Sequence, residues 1–475
     1  MFTNKGDISV YSQLSSGLLA INSDLIRRFE YYHNDYRLYP RTDFFVEAFD
    51  AHTYSAWLGH RRTVYARRPL SLYVHIPFCR SACFYCPSNQ FITDDYDSIN
   101  KYLEYLALEI RLQGQLFKDD PRVEQLYLGG GIPTFLNHSQ LSSVMNEIQK
   151  NFNLIKEGDF CIEIDSRQIN NHSMAALKEM GFNCAIIGVQ DFAHQVQQSI
   201  CCIQTEEATL STICSAQQAG FKSIKIELTY GLPKQSMETF EDTLEKIIST
   251  HPNQINLLNY LCLFGKLKPQ YDFNREDLPD TETVIAMMLL AISRLTNAGY
   301  THIGMNLFAK REDSLVIAQR QGRLHYSLQG YSIYPDCYRI ALGISAVGSI
   351  GPTLNQNHCD FLQYYNKLEH NILPIMHGIE LSADDLIRRS VMQALICQSI
   401  LSFESMETFF PIEFKYYFAT ELTELLVYEQ EGLIALDNDE ITVTPKGQLL
   451  IISICRVFDK YRRTAQQHKI YPVRR

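Results

Sequence analysis

The sequence predicts an α/β protein whose main body is a parallel sheet built from six β/α units. Three observations carry the prediction: β-branched runs alternate with longer helical patterns from Ser71 onward, the first ~70 residues show no clear period, and the pattern changes again after about Asp360. Residues 1–70 are rich in Tyr, Phe and Arg, which predicts a segment packed onto the main body or covering its opening. Their basic run Arg61-Arg-Thr-Val-Tyr-Ala-Arg-Arg68 reads as a solvated linker, with an anion-binding edge as the alternative. Strands are expected over 72–76, 125–128, 160–164, 185–189, 223–229 and 254–259. Helices are expected over 98–117, 139–151, 173–180, 206–219, 239–248 and 282–295, one after each strand. A strand that returns through a helix runs parallel to its neighbour, so the series calls for a parallel sheet. Near the C-terminus, helical runs at 383–401 and 416–431 precede two alternating strands around the Asn-Asp turn of 432–444, then a helix over 446–461. Helices followed by a hairpin suggest a winged-helix-like domain.

Composition bounds the function. At 475 residues, a large catalytic domain plus a smaller one is expected, and 46% hydrophobic residues can supply the core. With 43 basic and 53 acidic residues the net charge is −10, which disfavours general nucleic-acid binding and leaves packing as the better role for a winged shape. Thirteen cysteines, an odd number, do not read as a disulfide framework and point to a reducing, cytoplasmic setting. The N-terminal residues lack a signal pattern, and the longest apolar run, 284–292, is too short to span a bilayer.

The most specific feature is Cys79-x-x-x-Cys83-x-x-Cys86, directly after the strand at 72–76 and bracketed by Pro77 and Pro87. Three thiolates are one short of a closed metal site, and a four-iron cluster held by three leaves one iron open for chemistry. Structural zinc is an alternative, but His75 sits in an alternating run that points it away from the turn. Inert buried thiols are the other alternative.

The stretch Leu72-Tyr-Val-His-Ile-Pro-Phe-Cys79-Arg-Ser-Ala-Cys83-Phe-Tyr-Cys86 resembles the signature of radical S-adenosylmethionine (SAM) enzymes, in particular the oxygen-independent coproporphyrinogen III oxidases. Leu128-Gly-Gly-Gly-Ile-Pro-Thr134, Ile162-Glu-Ile-Asp165, Gly188-Val-Gln-Asp-Phe192, Tyr230-Gly-Leu-Pro-Lys-Gln235 and Gln329-Gly-Tyr331 agree with that family in order and spacing. The resemblance implies a partial (β/α)6 barrel with sites on the loops after the strands. The corresponding division is an N-terminal covering segment at 1–70, a radical SAM barrel core at 71–300, a barrel-closing segment at 301–360 and a C-terminal helical, winged-helix-like domain at 361–475.

It also implies that Cys79, Cys83 and Cys86 hold a [4Fe-4S] cluster whose open iron chelates SAM. A first SAM would lie against Gly130 and Gly131, with Glu163 accepting from the ribose hydroxyls, and against Tyr73, Tyr85 and Val347. Plain turn glycines and a surface salt bridge are the structural alternatives for the glycines and Glu163. The family holds a second SAM, and there the sequence departs from the pattern. Gln190 and Gly131 are kept, but Ile132 replaces a threonine, Glu227 an aspartate, and Cys201-Cys202 an Asn-Arg pair; Leu261 falls on another contact of that site. Loss of the guanidinium removes a bidentate donor. Ser88 stands where a fourth cysteine is expected, and Asn306-Leu307 replaces an Asp-His pair. The first site therefore reads as intact and the second as eroded. The implied substrate is a tetrapyrrole, with Arg68, Arg80 or Arg311 as partners for its propionates. A reductant such as flavodoxin or ferredoxin and a monomeric state complete the expectation, and no residue is assigned a catalytic role. The alternatives are a diverged paralogue using one SAM on another tetrapyrrole, a haem-trafficking protein that keeps the cluster, and a non-catalytic regulator acting through the winged region.

Overall fold

The computed structural model describes residues 23–29, 36–64, 68–81, 83–84, 86, 91–167, 169, 171–260, 275–334 and 337–462. The chain divides into two compact units interleaved along the sequence: Thr42–Met287 with Tyr334–Leu381, and Met1–Arg41 with Met288–Ile333 and Ser382–Arg475.

In the first unit the expected strands form as β1 (Leu70–Ile76), β2 (Arg122–Gly130), β3 (Asn153–Ile164), β4 (Cys184–Val189), β5 (Ser223–Tyr230) and β6 (Gln254–Asn259). Each pairs parallel with the next. Between them run α1 (Tyr96–Phe117), α2 (His138–Asn151), α3 (Asn171–Glu179), α4 (His194–Ser199), α5 (Glu206–Gln218) and α6 (Met237–Ser249). Their starts follow capping chemistry: Asn137 and Gln140 form a reciprocal box at α2, as do Ser236 and Thr239 at α6. Residues 338–380, which include part of the segment expected to close the barrel, add strands at the β1 edge. There β7 (Tyr338–Leu342) pairs parallel with β1, and β8 (Val347–Ile350), β9 (Thr353–Asn357) and β10 (Ile375–Glu380) continue antiparallel. Within the unit the order β10-β9-β8-β7-β1-β2-β3-β4-β5-β6 is open, a partial barrel.

The two faces of this sheet differ. Leu128, Ile162, Ile187, Ile226 and Ile255 are fully buried on one face. Paired neighbours in a parallel sheet point the same way, so the other face carries Tyr73 beside Tyr127, then Glu163, Lys225 and Glu227. A polar, half-buried concave face inside an apolar shell is a lumen able to hold a polar ligand. Part of the covering segment packs on the same unit: Val46 bridges to Gly378, and Tyr54 donates to Gln113 at 3.0 Å.

One carboxylate ties the added strands to the core. Glu109 of α1 is fully buried and accepts from Gly343 N at 2.7 Å, Tyr364 Oη at 2.6 Å and Asn357 Nδ2 at 2.7 Å. Burial nonetheless pushes its carboxyl up from 4.5 to about 7. The folded chain thus holds this proton more tightly than the unfolded chain, and the favourable contribution present below pH 4.5 is lost as pH rises to about 7. Tyr364→Phe is expected to cost about 1.5–3 kcal/mol at pH 8, where the lost bond is to an ionised carboxylate. The deficit should shrink at pH 6; urea unfolding midpoints of both proteins at the two values measure it.

In the second unit, strands Ile400–Ser402, Glu440–Val443 and Ile434–Leu436 form a three-stranded sheet in that order beside helices Ala383–Gln398 and Ala419–Gln430, the shape of a winged helix. Two expectations are corrected. The helix expected to reach 401 stops at Gln398 because Ser399 turns left-handed, φ 59°, and Ile400 then pairs with Thr442. The helix expected over 446–461 splits into Pro445–Gln448 and Ile451–Val457. Arg388 joins the helices of this unit through Asp384, Glu421 and the Phe458 carbonyl. Among the described residues no helix is long and apolar enough to cross a membrane.

Candidate active site

The cysteine loop leaves the carboxyl end of β1 and is fixed by backbone bonds on both sides. Gly131 N donates to Ile76 O at 2.7 Å and Ile132 N to Phe78 O at 3.0 Å, so the turn after β2 lies along the start of the loop. Residues Phe78–Cys79 then pair in parallel with Phe91–Ile92. Further on, Cys86 N bonds to Cys83 O at 3.2 Å, and Phe84 N to Ile200 O at 3.0 Å, beyond the end of α4. Cys79 and Cys83 are buried and Cys86 is half-buried.

Burial, then the proximity of Cys86, pushes the Cys79 thiol up to about 12. The neighbouring Cys202 thiol, then burial, pushes Cys83 up as well. These thiols are therefore neutral without a partner and need a cation to become ligands. Among the described residues no group of three His, Cys, Asp or Glu is placed to hold a single metal ion. Three thiols from one loop suit a larger inorganic core that takes one at each of three corners, and the donor set fits an iron–sulfur cluster.

The polar lumen lies against this loop. Glu163 Oε1 accepts from Tyr127 Oη at 2.7 Å and Oε2 from Gly130 N at 3.2 Å. Burial, then the charge of Glu227, pushes its carboxyl up to about 7. Tyr73 Oη is 2.9 Å from His75 Nδ1, its ring lies 6.0 Å from Tyr127, and the Arg339 guanidinium covers it at 4.8 Å. Arg339 Nε donates to Val347 O at 3.1 Å. Tyr73, Glu163, Gly130 and Val347, four of the residues expected at the first SAM, are thereby brought into one connected group, while Tyr85 lies outside the described residues. The glycines answer to the protein itself. Gly130 has φ 112°, and a Cβ at Gly131 would stand 2.7 Å from Phe78 O.

At the position of the second site, Gln190 and Cys202 are both buried, with Cys202 Sγ 3.8 Å from Gln190 Oε1. Ile132 adjoins the cysteine loop through its bond to Phe78, and Glu227 pairs with Lys225 at 3.8 Å. Leu261 and Ser88 lie outside the described residues. The Gly188–Phe192 and Tyr230–Gln235 motifs meet in a positioning network: Asp191 accepts from Gln235 at 2.9 Å and from Ala193 N at 2.7 Å. Arg80 is exposed over the Phe135 ring at 5.9 Å; Arg68 precedes β1, and Arg311 belongs to the other unit.

Sequence reasoning missed Arg167. It is held by buried Asp165 through Nε at 2.8 Å and Nη2 at 2.8 Å, and its charge acts on Cys79, Cys83 and Cys202. The signal was present, an Asp-x-Arg two residues beyond Glu163 at the carboxyl end of β3, where barrel sites lie.

The chain matches the Radical SAM superfamily over residues 73–247 and the HemN C-terminal domain over 381–450. It is 38% identical over 442 residues to an oxygen-independent coproporphyrinogen III oxidase of Pseudomonas aeruginosa, covering 93% of this chain and 96% of that one. The Escherichia coli K12 protein of the same name is 36% identical over 439 residues, 92% of this chain and 95% of that one. The solved structure of coproporphyrinogen III oxidase (HemN) from Escherichia coli, a Radical SAM enzyme, superposes with a TM-score of 0.85 at 36% identity, over 93% of this chain and 100% of that one.

Proposed function

Because this chain belongs to the oxygen-independent coproporphyrinogen III oxidases of the radical SAM superfamily, we propose that it converts two propionate side chains of coproporphyrinogen III to vinyl groups, giving protoporphyrinogen IX in haem biosynthesis. The observation that carries the reading is the clamped loop of three thiols opening onto the polar lumen around Glu163. Each side chain –CH2–CH2–COO⁻ gives up one hydrogen atom beside the ring, carbon dioxide and one electron, and becomes –CH=CH2. When bound, a [4Fe-4S] cluster and SAM supply the hydrogen-atom acceptor, a 5′-deoxyadenosyl radical released by one-electron cleavage of the sulfonium.

The chain's own residues bind and orient. Cys79, Cys83 and Cys86 would hold the cluster, with the Arg167–Asp165 ion pair beside Cys79 and Cys83. Glu163, aimed by Tyr127 and the Gly130 amide, accepts from the ribose. Tyr73 and Val347 line the same ligand, and the apolar shell beneath the lumen keeps water from the reacting centre. A flavodoxin- or ferredoxin-like reductant, a cytoplasmic setting and a monomeric state belong to the same proposal.

Anaerobic reconstitution, followed by SAM, coproporphyrinogen III and a strong reductant, tests it. Both 5′-deoxyadenosine and protoporphyrinogen are expected. A second reading, a diverged relative acting with one SAM on another tetrapyrrole, is favoured by Cys202 and Ile132 and would give 5′-deoxyadenosine without protoporphyrinogen. Formation of neither product rejects both readings. Cys202 places a thiol where the family resemblance implies a guanidinium, and Arg167 nearby is already paired with Asp165. A carboxylate left there without its cation is costly, so calorimetry on the reconstituted chain should find about one SAM per chain. Two equivalent tight sites would refute the erosion of the second.

A further inference from the structure

Cys202 belongs to the surroundings of the cysteine loop. After α4 the chain turns sharply at Cys201, which takes φ 52°, and Cys202 N bonds to Gln197 O at 3.0 Å. Ile200, two residues earlier, accepts from Phe84 N in the loop itself at 3.0 Å. Cys202 is thus directed inward, 3% exposed, into an apolar cluster with Cys83, Val196, Ile200, Leu232 and Tyr260. Cys83 and Cys202 lie together in this buried cluster, close enough for the Cys202 thiol to raise the proton affinity of Cys83. Gln190 Oε1, at 3.8 Å, is an acceptor for the Cys202 thiol.

We propose that Cys202 is a positioning residue for the iron–sulfur cluster, its S–H donating to the sulfur of Cys83 and favouring the cluster's reduced state. The proposal rests on the assignment of Cys83 as a cluster ligand. A thiol carries a single proton and serves one acceptor at a time. When Cys83 carries the negative charge of a ligand it is the stronger acceptor of the two, so the S–H turns to it and away from Gln190. The site is apolar and closed, which strengthens such a bond. Hydrogen bonds to cluster sulfurs are among the factors that set reduction potential, and a donor that stabilises the added negative charge raises it.

The test compares the reconstituted native chain with Cys202→Ala, Cys202→Val and Cys202→Ser, without SAM or substrate. Iron and sulfide per chain are measured, then the midpoint potential is followed by electron paramagnetic resonance. Ala and Val should both shift the midpoint to more negative potential with iron content unchanged, while Ser, whose hydroxyl still donates, should stay near the native value. Cluster loss in Ala and Val with retention in Ser would support the same bond. An unchanged midpoint in Ala and Val overturns the proposal, as does a Ser variant shifted as far as Ala. Cluster loss in all three variants also overturns it, because the thiol would then be a ligand. A native chain that takes up no cluster rejects the cluster assignment itself.

Discussion

Cys79→Ala, Cys83→Ala and Cys86→Ala are each expected to lose the iron–sulfur absorption of the reconstituted protein and, with it, all formation of 5′-deoxyadenosine. The effect is complete because three thiols leave no spare ligand: removing one leaves two, and two cannot hold the core at three corners. Cys214→Ser, exposed on α5, and Cys184→Ala, which stands beside Cys161 on the neighbouring strand, should leave both measurements near native values. Iron analysis, the visible spectrum and product chromatography decide the matter. A Cys83→Ala protein with a full four-iron complement would remove the assignment.

Glu163→Ala should weaken SAM binding by about 1.5–3 kcal/mol, roughly 10- to 150-fold, the range for a hydrogen bond to a charged group. The pH dependence gives an independent check. Glu163 is held near pKa 7, and its ionised form is the better acceptor for a ribose hydroxyl, so affinity in the native chain should rise between pH 6 and 8. The variant should lose that rise. Calorimetry at both values measures it, and a folded variant with unchanged affinity would return Glu163 to its structural bonds with Tyr127 and Gly130.

Much of the catalytic unit was legible because its signals are local. The six strands and their helices announce themselves by β-branched runs between capped helical stretches; their ends moved, and the short helix His194–Ser199 was not foreseen. β3, for instance, starts at Asn153 because Asn153 and Leu154 already pair with Arg122 and Val123, which no local period reveals. β7 went unread as a strand because Tyr338–Leu342 owes its place to a distant neighbour, β1. The same divide holds at the site. The spacing of Cys79, Cys83 and Cys86 is written in one loop, whereas the contact of Cys83 with Cys202 and the reach of Arg167 to the thiols join segments far apart in sequence. Cys202 could be read as a missing arginine, but nothing local says what its thiol touches instead.

The pairing of Phe78–Cys79 with Phe91–Ile92 has a consequence for how the cofactor enters. Closing a loop carries an entropic cost that must be met before its ligands can act together. Here the sheet meets it during folding, through bonds that involve no thiol: Phe91 N to Pro77 O at 2.7 Å and Thr93 N to Cys79 O at 3.3 Å. Metal uptake is then expected to fill a loop whose ends are already paired, unlike in zinc fingers, where binding and folding are one event. The cofactor-free chain should keep its fold and remain competent to be filled.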